Sequence, residues 1–216
     1  MPDKHAVLSA SSSHRWLACP PSALLCAKAG DTTSEFAMQG TDAHCLCEHK
    51  LKTALGQQSK DPTENLTFFD EEMADCSDMY AQYVMEQLAA AKQKCKDPIV
   101  LIEQRLDFSK WVPQGFGTGD CVIVADETLT VIDFKYGVGI LVEAEKNPQM
   151  MCYALGALQL FDSIYDIDSV TMTIFQPRRD SVSTYTISKG ELLKWADEVL
   201  APTAQLAAKG EGEYKA

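Results

Sequence analysis

Asp133 and Lys135 stand two residues apart in Leu129–Tyr136 (LTVIDFKY), a run otherwise apolar enough to be buried. On a strand, that spacing projects both side chains from one face. Aspartate and lysine are almost never fully buried unless they are paired or bound to something. A second such run, Gly117–Val124 (GTGDCVIV), carries Asp120. The short Asp126–Glu127 turn between the runs closes a hairpin that brings Asp120 toward the same patch. Two carboxylates and one ammonium meeting there make a site for a hard divalent cation, with a lysine left over for chemistry.

Hydrolysis of a phosphodiester needs an activated water and neutralisation of charge on the phosphorus centre. A divalent ion held by carboxylates supplies both. Magnesium keeps several waters and asks for one or two protein carboxylates. Asp120 and Asp133 fit that demand, and the backbone carbonyl of Phe134 offers a third oxygen. Lys135 can orient or deprotonate the water, or stabilise charge in the transition state. The structural alternative is a buried Asp133–Lys135 ion pair with Asp120 as a turn aspartate, and Asp-x-Lys is a short, common string.

Further polar pairs lie on predicted helices. His44 follows Gly40 and shares a face with Glu48 one turn later, a spacing that suits a metal or a plain surface hydrogen bond. Gln149 and Tyr153 repeat that spacing on an apolar helix, where both need polar partners if buried. Those partners are DNA, the metal site or core hydrogen bonds. Cys45 and Cys47 do not face each other on a helix. Cys76, Cys95, Cys121 and Cys152 read as small core residues. Trp16, Trp111 and Trp195 are scattered, which suits packing better than base stacking.

The elements that must position these groups follow from pattern. A serine run from Ser9 caps a short helix that Pro20-Pro21 interrupts. Gly40 to Leu55 is predicted as a helix, with Thr41 or Asp42 near its start and Gly56 past its end. Residues 57–67 form a polar turn with Pro62. Glu71 to Lys94 is a long amphipathic helix, with Met73, Tyr80, Val84 and Leu88 near one face. Strands are predicted at Ile99–Phe108, at the two signature runs, at Val170–Gln176 and at Thr184–Ser188, with a short edge strand at Val142–Glu145. Asn147-Pro148 opens a helix over Gln149–Phe161. A capping box of Ser188 and Glu191 starts a last helix running to about Ala208. The order predicts an α/β (α+β) core, a central mixed sheet flanked by helices, with an N-terminal helical arm.

The chain of 216 residues is 46% hydrophobic and 23% charged, an ordinary globular composition. It is read as a single domain, mainly helical over 1–97, with the sheet core and C-terminal helix over 98–216. No run reaches the length of a membrane span, and the start lacks an apolar signal core. Eight cysteines without such a signal suit reduced thiols in the cytoplasm. A net charge of −12, from 19 basic and 31 acidic side chains, argues against broad sticking to phosphate backbones. It leaves room for binding through metal and a local cluster, and Arg178-Arg179 beside Lys135 and Lys146 can supply one.

Taken together, these residues resemble the RecB-type branch of the PD-(D/E)xK nuclease superfamily. Gly40-Thr41-Asp42-Ala43-His44 resembles its Gly-x-x-x-His motif, and Gly117-Thr118-Gly119-Asp120 its glycine-then-aspartate strand. Ile132-Asp133-Phe134-Lys135 resembles its Asp-Tyr-Lys motif, with Phe134 in place of tyrosine, and Gln149 to Tyr153 its Gln-x-x-x-Tyr helix. The match runs in order over roughly residues 9–160. A phage- and prophage-encoded group of RecB-like exonucleases also shares the Ser-Ser-His-Arg-Trp-Leu-x-Cys-Pro opening and the Asn-Pro-Gln run.

The resemblance implies a restriction-endonuclease-like core and a metal-dependent DNA nuclease, an exonuclease in phage recombination or end processing, with DNA as substrate and a phage recombination protein as a candidate partner. By that carry-over His44, Asp120 and Asp133 hold Mg²⁺ or Mn²⁺, and Lys135 is catalytic. Gln149 and Tyr153 orient the DNA or the site, and Glu103 is an acid behind the ligands. Several relatives with a Cys-Pro arm carry an iron-sulfur cluster completed by three cysteines after the last helix. Here Cys19 stands in the arm, but no cysteine follows Cys152, so the expectation is a chain cut short before the cysteine cluster, with the iron-sulfur centre confined to a longer form. Two rivals remain: a non-catalytic nucleic-acid or recombination-partner binding module of the same fold, and a metal-dependent hydrolase of another substrate.

Overall fold

The computed structural model of the protein describes residues 6–29 and 34–215. A five-stranded mixed sheet lies at the centre in the order β1-β2-β3-β4-β5: Ile99–Asp107, Phe116–Ala125, Glu127–Phe134, Ile167–Gln176 and Ser181–Ser188. Neighbours are antiparallel except β3 and β4, which run parallel and are joined through helix α5 (Pro148–Phe161). A parallel pair needs such a crossover, because a two-residue turn cannot return the chain to the same end. The β2–β3 hairpin turns where expected, with Glu127 at φ +63°.

Each face of the sheet is covered. Val122, Val124, Leu129, Val131, Met172 and Ile174 form one core with α5 and the C-terminal helical run, α6 (Lys189–Trp195), a π-helical segment Ala196–Leu200, and α7 (Ala201–Lys209). That core also takes Trp16 of α1 (Ser13–Ala18) and Ala23 of α2 (Ser22–Ala29). Cys121, Ile123, Ile132 and Phe134 form the other core with α3 (Glu35–Ala54) and α4 (Glu71–Lys94). Full burial of each large apolar side chain stabilises the fold by about 1.5–3 kcal/mol.

The two cores expose an irregularity at the place where the chemistry gathers. Up to Ile102 and down to Cys121, β1 and β2 alternate regularly: Leu101 and Val122 face α5, Ile102 and Cys121 face α3 and α4. Beyond that point Leu106 lies against both Gly119 and Gly156 of α5, so the alternation has slipped by one. The slip falls at Glu103 and Asp120, where the ladder passes from the Ile102–Cys121 pair to the Gln104–Gly119 pair. Glu103 takes φ +50° in mid-strand. A non-glycine residue held there costs on the order of 1–3 kcal/mol and persists only where its surroundings over-determine it.

Three local expectations are corrected. Helix α3 starts at Glu35, not Gly40; its cap is Ser34, whose hydroxyl accepts the Ala37 N–H at 3.2 Å. Asp42 instead accepts the N–H groups of Thr67 and Phe68, at 2.7 and 2.8 Å, and ties the following turn to the helix. Val142–Glu145 forms no strand, because side chains of Gln176 and Ser183 take up its backbone N–H groups. Asn147 does cap α5, and Ser188 and Glu191 do form a capping box. Among the described residues no helix is long and apolar enough to cross a membrane.

Candidate metal centre

Asp120 sits at the slip in β2 and is the hub of the site. Its Oδ1 lies 3.2 Å from His44 Nδ1, and its Oδ2 accepts the Phe134 N–H at 2.7 Å. The hairpin register supplies that second contact, since Cys121 pairs with Ile132 and brings the next residues of both strands together. The ring of Phe134, edge-on to His44 at 5.5 Å between centroids, is wholly buried and packs the imidazole against the sheet.

Glu103 completes a trio. One ligand atom each from His44, Glu103 and Asp120 lies within 4.8 Å of the others. Octahedral magnesium sets neighbouring donors about 3.0 Å apart and opposite donors about 4.2 Å apart, from metal–oxygen distances near 2.1 Å. The trio therefore fits one small hard cation after adjustments of side-chain size. Sequence reasoning places Glu103 behind the ligands; the positive φ at this residue, which no motif displays, accompanies its place among them.

The charges show what the trio lacks. Burial alone would lower the pKa of His44, but Asp120, then Asp133 and Glu103, outweigh it and raise it to about 9. The imidazole is therefore a cation at neutral pH and supplies positive charge to the two carboxylates beside it. Burial first, and Asp120 second, push Glu103 up to about 7. For Asp120 burial opposes ionisation, yet His44, the Phe134 N–H and Lys135 together hold its carboxyl below the ordinary range. Glu48, one turn beyond His44, pairs with Lys52 and adds negative charge near Glu103.

Asp133 belongs to a second group. Its Oδ1 accepts from Gln149 Nε2 at 3.0 Å, and its Oδ2 meets Lys135 Nζ at 2.9 Å as an ion pair, though in no well-directed hydrogen bond. Gln149 Nε2 also donates to the Tyr153 hydroxyl at 3.2 Å, and Lys135 Nζ reaches Gln149 Oε1 at 3.4 Å. The cap of α5 orients this group, because Asn147 Oδ1 accepts the Gln149 N–H at 3.0 Å. Tyr153 has room because residue 117 is glycine: a Cβ there would lie 2.7 Å from its ring. Burial works against the charge of Lys135, but Asp133 and Asp120 overcome it and raise its pKa. Burial and the Asp120 charge push Asp133 the other way for a carboxylate, up.

The structure thus gathers His44, Glu103 and Asp120 on one side and Asp133, Lys135, Gln149 and Tyr153 on the other, linked by Phe134. The main chain of Phe134 enters through its N–H, which Asp120 accepts. The basic cluster is already engaged: Arg178 pairs with Glu72 at 2.9 Å and covers the Tyr136 ring, and Arg179 donates to the Val138 carbonyl at 3.2 Å. All eight cysteines are free thiols. Cys19 is buried, and its Sγ accepts the Lys215 N–H at 3.4 Å, which brings the last described residues to that thiol. Sequence reasoning missed Gln176, a buried glutamine at the end of β4 that fixes the segment after Lys135. Its signal is a lone amide closing the apolar run before Pro177.

Among solved structures, one titled "Crystal structure of SSO0001" shares 12% identity over 71% of this chain and 82% of its own, with a TM-score of 0.25. At that score it adds nothing to the reading of the fold. A family model spans residues 5–216, and by it the chain belongs to the family described as Protein of unknown function (DUF2800).

Proposed function

We propose that the protein is a metal-dependent DNA nuclease that hydrolyses phosphodiester bonds, acting as an exonuclease on DNA ends in phage recombination. One observation carries the reading: Asp120 joins His44 and Glu103 in a cation-sized trio while its other oxygen is held by the amide next to Lys135. A purely structural ion pair of Asp133 with Lys135 needs none of that trio.

A bound divalent ion would supply a water of lowered pKa and a clamp on phosphate oxygens. The protein's own groups do the rest. The Phe134 N–H fixes the orientation of Asp120. Lys135, held as an ammonium by Asp133, is positioned to offset charge that develops on the phosphate, and its raised pKa favours that role over deprotonating water. Gln149 bridges Asp133 and Tyr153, so the tyrosine hydroxyl keeps a proton to donate to substrate.

The test is incubation with linear and circular DNA, single- and double-stranded, in Mg²⁺ or Mn²⁺, beside Asp120→Ala and Lys135→Ala. Cleavage by the parent and its loss in both variants is the expected result. The second reading, a binding module that keeps the fold, draws on the net charge of −12 and on the self-sufficient Asp133–Lys135 pair. DNA retention without cleavage, indifferent to both substitutions, would establish it instead.

A further inference from the structure

The segment between Lys135 and α5 has neither helix nor strand, yet its backbone is fixed. Gln176, only 2% exposed, donates from Nε2 to the carbonyls of Gly137 and Ile140, at 2.7 and 2.8 Å, and accepts the Val142 N–H at 3.2 Å. Arg179 donates to the Val138 carbonyl at 3.2 Å. The Ala144 N–H goes to Ser183 Oγ at 2.9 Å, and Ala144 itself is buried. A buried amide with all its hydrogen bonds spent on one turn is a frame for whatever that turn displays.

What it displays is apolar. Val138 is 45% exposed, Ile140 79% and Leu141 45%. Single exposed hydrophobic residues are ordinary. Three among four consecutive residues, on a turn held from behind, form a rigid apolar tip.

Both ends of the segment are anchored in the candidate site, where Lys135 Nζ and Gln149 Oε1 stand 3.4 Å apart. Ile140 follows Lys135 by five residues, so their Cα atoms are at most about 18 Å apart. With a rise of about 3.4 Å per nucleotide, the tip reaches within about five nucleotides of the reacting phosphate. Lys146, exposed on the same segment, offers a cation to a flanking phosphate.

We infer that residues 138–141 are a wedge that inserts among the bases at the end of a DNA duplex and frees one strand for the site. The ligand is unpaired nucleobases, and aliphatic side chains are used in this way against base steps elsewhere. The inference rests on the nuclease reading. Because a strand that is already open needs no wedge, duplex and pre-opened ends separate the two.

The experiment compares the full chain with Ile140→Ser and Ile140→Leu in Mn²⁺, on blunt duplex, forked-end and single-stranded DNA of one sequence. Ile140→Ser is expected to slow cleavage of the blunt duplex about 10-fold while changing the forked and single-stranded rates less than about 2-fold, with Ile140→Leu near the parent. A 2-aminopurine placed third from the duplex end should brighten on binding in Ca²⁺ with the parent and not with Ile140→Ser. Equal loss on every substrate, or no loss on the blunt duplex, overturns the wedge and leaves the nuclease reading standing. No cleavage of any DNA by the parent removes both.

Discussion

The two halves of the site differ in how their charges are settled. Asp133, Lys135, Gln149 and Tyr153 answer one another within the fold: Gln149 donates to both Asp133 and Tyr153, and Lys135 pairs with Asp133 and stays an ammonium. His44, Glu103 and Asp120 do not close in the same way. Two carboxylates share one imidazolium, and one of them is displaced toward neutral pH. A strained backbone angle accompanies that arrangement, at Glu103. The contrast teaches where a cation is wanted. The finished half holds a lysine in place, and the unfinished half has valence to spare.

Substitutions that cut one half and leave the other sharpen this contrast. The largest effect is expected from Asp120→Ala, which removes the carboxylate that meets His44 with one oxygen and the Phe134 N–H beside Lys135 with the other. Metal affinity should fall about 100-fold or more, measured by calorimetry, and cleavage should fall with it. Next, Lys135→Ala should lower the cleavage rate about 10²- to 10³-fold while metal affinity stays within about threefold, because the lysine acts on developing charge. Equal losses of binding and rate would break the division into halves.

Glu103→Gln comes third, and its clearest mark is on pH dependence. The carboxyl of Glu103 is raised from 4.5 to about 7, so the folded protein binds that proton more tightly than the unfolded chain does. The stabilisation is complete below pH 4.5 and is lost as pH rises through 7. His44, raised from 6.5 to about 9, adds the same sign over the next interval, complete below 6.5 and lost through 9. Without metal, the melting temperature should therefore fall from pH 4.5 to 9. In Glu103→Gln only the upper part of that fall should remain, and a fall of unchanged shape would take Glu103 out of the trio. The smallest effect is expected from Tyr153→Phe: about 1 kcal/mol of stability from one lost hydrogen bond, and a few-fold loss of rate.

The elements that hold these groups were largely legible, because they obey short-range rules. Asn147-Pro148 reads as a helix start and is one, Ser188 and Glu191 read as a capping box and form one, and the 71–94 periodicity gives α4. Polar residues placed in apolar strands also mark Asp120, Asp133 and Lys135 from the sequence. Where tertiary contact decides, the pattern misled. Gly40 suggests a helix start, but nothing in the fold stops the turn before it from winding back to Ser34. Val142–Glu145 alternates like a strand, yet its hydrogen bonds go to side chains of β4 and β5. Glu103 was the costliest to read, since a left-handed angle in mid-strand has no signature in the sequence. Its neighbours Ile102 and Gln104 continue the ladder as if nothing intervened.

The central claim is that His44, Glu103 and Asp120 hold one divalent ion, and Mn²⁺ titration calorimetry at pH 7 in two buffers of different ionisation enthalpy tests it most directly. Because His44 must give up its proton and Glu103 is about half protonated at pH 7, the account expects a single site that releases about one and a half protons, and Asp120→Ala should abolish it. Absence of binding, or binding that neither releases protons nor notices the loss of Asp120, would contradict it.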